Sequence, residues 1–70
     1  MNNRIIETHR ATIVAKNGDR LLMIDEYTNG TFTVAVGSAE GVGAVRGTFN
    51  SLEEAIAAAV ARRKITRIIW

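Results

Sequence analysis

The stretch Val14-Ala15-Lys16-Asn17-Gly18-Asp19-Arg20-Leu21-Leu22-Met23-Ile24-Asp25-Glu26-Tyr27-Thr28-Asn29-Gly30-Thr31-Phe32-Thr33-Val34 decides the fold. It holds two Asn-Gly pairs, Asn17-Gly18 and Asn29-Gly30, each between runs of strand-forming residues. Asn-Gly readily fills the two positive-φ positions of a type I′ turn, whose twist suits the strands on either side. The pairs predict a three-stranded antiparallel meander and its register. Lys16 is expected opposite Asp19, Val14 opposite Leu21, Arg10 opposite Asp25 and His9 opposite Glu26. Three of these pairs set opposite or complementary charges together, each favourable by roughly 0.2–1 kcal/mol. Across the second turn, Tyr27 is expected opposite Phe32 and Asp25 opposite Val34.

Side chains alternate between the faces of a sheet. In this register one face carries Val14, Leu21, Met23, Tyr27, Phe32, Val34 and Val36, with Val45 and Phe49 joining from a later strand. It is the larger apolar set and is expected beneath a helix. The other face carries Ala11, Ile13, Ala15, Leu22, Ile24 and Ala35, with Thr31 and Thr33 nearby. That set is too apolar for a solvated face. Left open, it would mark a partner site.

Working outward, residues 4–16, 19–28 and 31–37 read as the meander, 38–42 as a glycine-bounded loop and 43–49 as a fourth strand. Ser51 followed by Glu54 has capping-box spacing, with Asn50 and Glu53 an equally spaced alternative. Leu52, Ala55, Ile56, Ala59 and Val60 form one helical stripe that should face the sheet. Glu53 and Glu54 suit the first turn, and Arg62, Arg63 and Lys64 suit the last, where the helix dipole favours cations. Residues 65–70 return to β-type residues. The expected fold is α+β: an antiparallel β-meander of four to five strands, one α-helix packed on one face, and a short C-terminal strand. Seventy residues make one domain, 1–70, with a thin core.

Apolar residues are 47% of the chain and charged residues 23%, ordinary globular values that argue against disorder. Nine Lys+Arg against seven Asp+Glu leave a net charge of +2, which permits nucleic-acid binding without requiring it. There is no cysteine, so disulfides and thiolate metal sites are excluded. No apolar run has the length to span a bilayer, and the first residues have no apolar signal core. The expectation is a cytoplasmic protein with no membrane association.

The residues for chemistry are sparse. His9 is the single histidine, with Glu26 expected opposite, and the spacing brings it no nucleophile. Asp25 and Glu26 are adjacent and point to opposite sides. One histidine with scattered carboxylates does not make a typical zinc site. Residues 37–43 are glycine-rich but lack the dinucleotide fingerprint, and no helix follows them. The expectation is no enzyme, no catalytic residues, no metal and no cofactor.

Gly30-Thr31-Phe32-Thr33-Val34-Ala35-Val36, then Gly47-Thr48-Phe49-Asn50-Ser51-Leu52-Glu53-Glu54-Ala55, resembles the strand-to-helix entry of HicB-like antitoxins. That resemblance implies strands, a helix and a returning strand, and a role in blocking a toxin by docking on it. Residues 47–55 are also similar to the helix entry of plant ethylene-response and integrase arm-binding domains, which implies fold. In size and architecture the chain resembles small phage anti-defence proteins, including anti-CRISPR proteins. The expected function is a non-enzymatic binding protein that inhibits a larger protein by contact. Ile13, Leu22, Ile24 and Arg46 are the expected partner-binding residues, and homodimerisation through the same face is a rival use. The alternative is a DNA- or RNA-binding module using Arg46, Arg62, Arg63, Lys64 and Arg67.

Overall fold

The computed structural model describes residues 4–38, 41–61 and 64–70. The element order is β1 (Ile5–Ala15), β2 (Arg20–Tyr27), β3 (Phe32–Ser38), β4 (Gly41–Phe49), α1 (Leu52–Val60) and β5 (Ile65–Ile69). All five strands form one antiparallel sheet in the order β4-β3-β2-β1-β5, and α1 packs on one face of it. The expected α+β architecture is therefore present. The loop expected over 38–42 is shorter, because Ser38 belongs to β3 and Gly41 and Val42 to β4.

The register differs from expectation at both hairpins. Gly30 N–H donates to the Tyr27 carbonyl at 3.0 Å, and Tyr27 N–H donates to the Thr31 carbonyl at 2.9 Å. The central residues of the turn are thus Thr28 and Asn29, and Gly30 follows them at φ +82°. This is a three-residue loop with glycine in the left-handed region, the second common hairpin solution for the same residues. Asn29 Oδ1 supports it by accepting from Thr31 N–H at 3.2 Å and Thr31 Oγ1 at 2.6 Å. One extra loop residue shifts the pairing by one. Phe32 pairs with Glu26, Val34 with Ile24 and Val36 with Leu22.

A one-residue shift turns a strand over. Phe32, Val34 and Val36 therefore share the face of Leu22 and Ile24, while Thr33 and Ala35 join Leu21 and Met23. At the first hairpin Gly18 N–H donates to the Ala15 carbonyl at 3.1 Å, and Ile13 pairs with Arg20, Ala11 with Leu22 and Arg10 with Met23. That is a two-residue shift, which leaves each side chain on its expected face but takes Arg10 from opposite Asp25 and His9 from directly opposite Glu26. Thr8, not Arg10, is the partner of Asp25, and its hydroxyl donates to Asp25 Oδ1 at 2.8 Å.

The helix covers the face opposite to the one expected. Ile13, Leu22 and Ile24 are 0% exposed and cluster with Ala11, Val34, Ala55 and Ala59. Physically, the shift gathers Phe32, Val34 and Val36 with the existing Leu22 and Ile24. Burying each such side chain is worth about 1.5–3 kcal/mol. Surface charge pairs of a few tenths each cannot compete. The helix presents alanines at its closest approach, and the sheet supplies the bulk. Leu52, Ile56 and Val60 pack around that contact from the helix, and Ile65 and Ile68 from β5. This matches the expected stripe.

The helix start is as expected, with one refinement. Ser51 is the N-cap, and its hydroxyl accepts from Glu54 N–H at 3.1 Å. The return bond is donated by Asn50 N–H to Glu54 Oε2, at 3.1 Å. The helix end is not as expected. It stops at Val60, with Ala61 as C-cap, so no cation stands in its last turn. Lys64 lies beyond it, and its carbonyl accepts from Lys16 N–H at 3.1 Å. Arg62 and Arg63 lie outside the described residues.

Two measurements check this arrangement. Leu22→Glu would bury an unpaired charge and is expected to unfold the domain, whereas Leu21→Glu should leave its circular dichroism and melting cooperativity intact. Gly30→Ala meets no atom within 4 Å, so its cost is conformational. Urea denaturation should show a loss of about 1 kcal/mol.

Candidate functional site

The residues expected to meet a partner do not lie together on a surface. Ile13, Leu22 and Ile24 are sealed under α1 and are unavailable to a partner in this fold. The expected register leaves them on an open face, because it puts Phe32, Val34 and Val36 on the opposite side. Arg46 lies within β4, and its side chain is outside the described residues. Of the basic cluster, Lys64 and Arg67 are exposed, and Arg62 and Arg63 are not described.

The face turned away from α1 is built by strand alternation. β1 contributes Thr8, Arg10, Thr12 and Val14, and β2 contributes Leu21, Met23, Asp25 and Tyr27. Thr12 pairs with both Leu21 and Ile69, and Val14 with Arg67, which extends the face onto β5. Leu21, Ile69 and Trp70 are 41%, 46% and 59% exposed, high values for such side chains. With Arg10, Ala11 and Thr12 they line an open hollow of about 240 Å³. A second hollow of about 220 Å³ lies on Tyr27, Asn29, Thr31, Thr33 and Thr48. There Thr33 Oγ1 donates to the Tyr27 hydroxyl at 3.2 Å. The same face thus has an apolar end with a cation and a hydroxyl-rich end. Trp70 and Ile69 were legible as β-type residues. Their position beside Leu21 depends on where β5 joins the sheet, which the sequence does not state.

Another grouping lies on the helix-side face, where α1 does not reach. An eleven-residue strand spans about 36 Å, while a nine-residue helix spans about 14 Å. α1 starts beside Phe49 and leads toward the β1–β5 end, so it leaves the corner of Glu7, His9 and Glu26 uncovered. The expected contact of His9 with Glu26 is present, with Nε2 to Oε1 at 3.3 Å. The direct cross-strand partner of Glu26 is Glu7, however, and His9 Nε2 is 3.9 Å from Glu7 Oε2. Sequence reading missed Glu7, which stands two residues before His9 on the same side. The ligand atoms of the three lie within 4.8 Å of one another, a spacing that a metal ion could share. Among the described residues, the partners of His9 are carboxylates and not a hydroxyl nucleophile.

No protein-family model, curated protein or solved structure matches this chain. No helix of the described residues is long and apolar enough to cross a membrane.

The corner makes a stability prediction. Two carboxylates directly opposite each other repel, and His9 stands against both. His9→Ala is expected to lower stability by about 0.5 kcal/mol. Adding Glu7→Gln should recover that loss in urea denaturation.

Proposed function

We propose that this chain is a non-enzymatic binding protein that occupies a surface of a larger protein and inhibits it, as antitoxin-like and anti-CRISPR-like proteins do. The contact is made by the sheet face turned away from α1. The observation that carries this reading is the exposure of Leu21, Ile69 and Trp70 around one hollow, beside Arg10. Large exposed apolar side chains grouped around one hollow mark an interaction site. Tryptophan and arginine are also the residues that most often anchor protein interfaces. The partner this chemistry fits offers an apolar side chain for the hollow and a carboxylate for Arg10.

A second reading has its own observation. Arg67 shares this face with Arg10, and Trp70 borders the hollow between them. Two cations and an exposed indole can also hold a nucleic-acid strand by phosphate contact and stacking.

Affinity purification from cells expressing the chain, followed by measured dissociation constants, separates the two. A protein partner should bind the wild type and the Ala57→Glu control alike, and bind Leu21→Glu at least about tenfold more weakly. Equal binding by all three would overturn the proposed face. Binding to random DNA or RNA that falls steeply with salt and is lost in Arg10→Ala/Arg67→Ala would replace the protein reading with the second.

A further inference from the structure

β5 pairs with β1 only from Thr12 to Ala15. The outer edge of β1 from Ile5 to Arg10 therefore has no strand beside it among the described residues. Such an edge is a template for another strand. The Ala15 carbonyl accepts from Gly18 across the turn, and β1 is regular from Glu7 to Ile13. Alternation along the strand then turns the amides of Thr8 and Arg10 outward.

We propose that this edge pairs with the same edge of a second copy, joining two five-stranded sheets into one across a two-fold axis. Symmetry restricts the register. Opposed side chains must share a face, so the axis passes through a residue and not between two. Centred on Glu7, the pairing sets Glu7 against itself. Centred on His9, it sets His9 against itself and Glu7 against Ala11. Centred on Thr8, it sets Glu7 of each copy opposite His9 of the other, and the outward Thr8 amides face each other. Only this last register sets an imidazole, a hydrogen-bond partner, against each carboxylate, and it does so twice.

The same register matches apolar surface. It places Ile6 of one copy opposite Arg10 of the other, next to Ala11. Ile69 pairs with Thr12, so Trp70 ends β5 beside that position. Ile5 and Ile6, 51% and 60% exposed, then meet the 59% exposed Trp70 across the axis. These are three of the five large hydrophobic side chains that are exposed among the described residues. Charges and an irregularity such as that between Ile5 and Glu7 are devices that keep edges unpaired. In this register each Glu7 carboxylate faces an imidazole instead of another carboxylate, and the irregularity confines the ladder to its centre. The axis stands perpendicular to the sheet, so both helices lie on one side and both hollows on the other. The dimer does not rest on the proposed inhibitory role, because its test reads mass and the other reads the affinity of Leu21 variants.

Sedimentation of the full chain from micromolar to millimolar concentration tests this pairing, with circular dichroism confirming that each variant is folded. The wild type should dimerise. Thr8→Pro removes an outward donor that the monomer does not use, and should be monomeric. His9→Glu sets like charges opposite each other twice and should weaken the dimer about tenfold, while Glu7→Lys with His9→Glu should restore it. Amide exchange at Thr8 should slow as concentration rises. A wild type monomeric throughout, or a dimer unchanged by Thr8→Pro and His9→Glu, would overturn the proposal.

Discussion

The hydrogen bond from Gly30 N–H to the Tyr27 carbonyl determines which side of the sheet is apolar. It makes the second hairpin loop three residues long, and so sets β3 against β2 with Val34 on Ile24 and Val36 on Leu22. A loop one residue shorter would turn β3 over and divide the apolar side chains between two faces. In the observed register Phe32, Val34 and Val36 gather with Leu22 and Ile24 on one face, and one short helix is enough to cover them. The local preference of Asn29 and Gly30 and the global demand for burial thus agree, as folding landscapes require.

The core that results is small but complete. Three large side chains, Ile13, Leu22 and Ile24, are fully buried against the two alanines Ala55 and Ala59. Small helix residues let the helix backbone approach the sheet, so that few side chains fill the gap. The capping bonds of Ser51 and Glu54 begin the helix where β4 ends. Its length then decides the rest. The helix is shorter than the β1–β2 hairpin, so the Glu7, His9 and Glu26 corner and the start of β1 stand clear of it. The domain is correspondingly elongated, 42 × 22 × 21 Å.

Most of the architecture was legible in the sequence. The strand runs, the Ser51 cap and the stripe of Leu52, Ala55, Ile56, Ala59 and Val60 all read correctly from periodicity and capping chemistry. The register did not, because Asn-Gly serves two hairpin turns that differ by one residue, and that residue reverses a face. Matching charges across the first hairpin favoured the wrong pairing, since surface pairs carry little energy. A better discriminator was present. Phe32, Val34 and Val36 alternate with Thr33 and Ala35, and pairing the heavier set with Leu22 and Ile24 separates apolar from polar most completely. The site was less legible. The exposed group depends on β5 lying beside β1, which brings Ile69 next to Thr12 and Leu21 across two strands. No local pattern encodes that neighbourhood.

The functional reading follows from the same register. With Leu22 and Ile24 committed to the core, the opposite face keeps Leu21, Ile69 and Trp70 for contact. Nuclear Overhauser spectroscopy of the methyl-labelled chain tests this most directly. The Ala55 and Ala59 methyls should show contacts to Leu22 and Ile24, and Val34 should show cross-strand contacts to Ile24. Contacts from Ala55 to Leu21 or Met23, with Val34 opposite Asp25, would contradict the account.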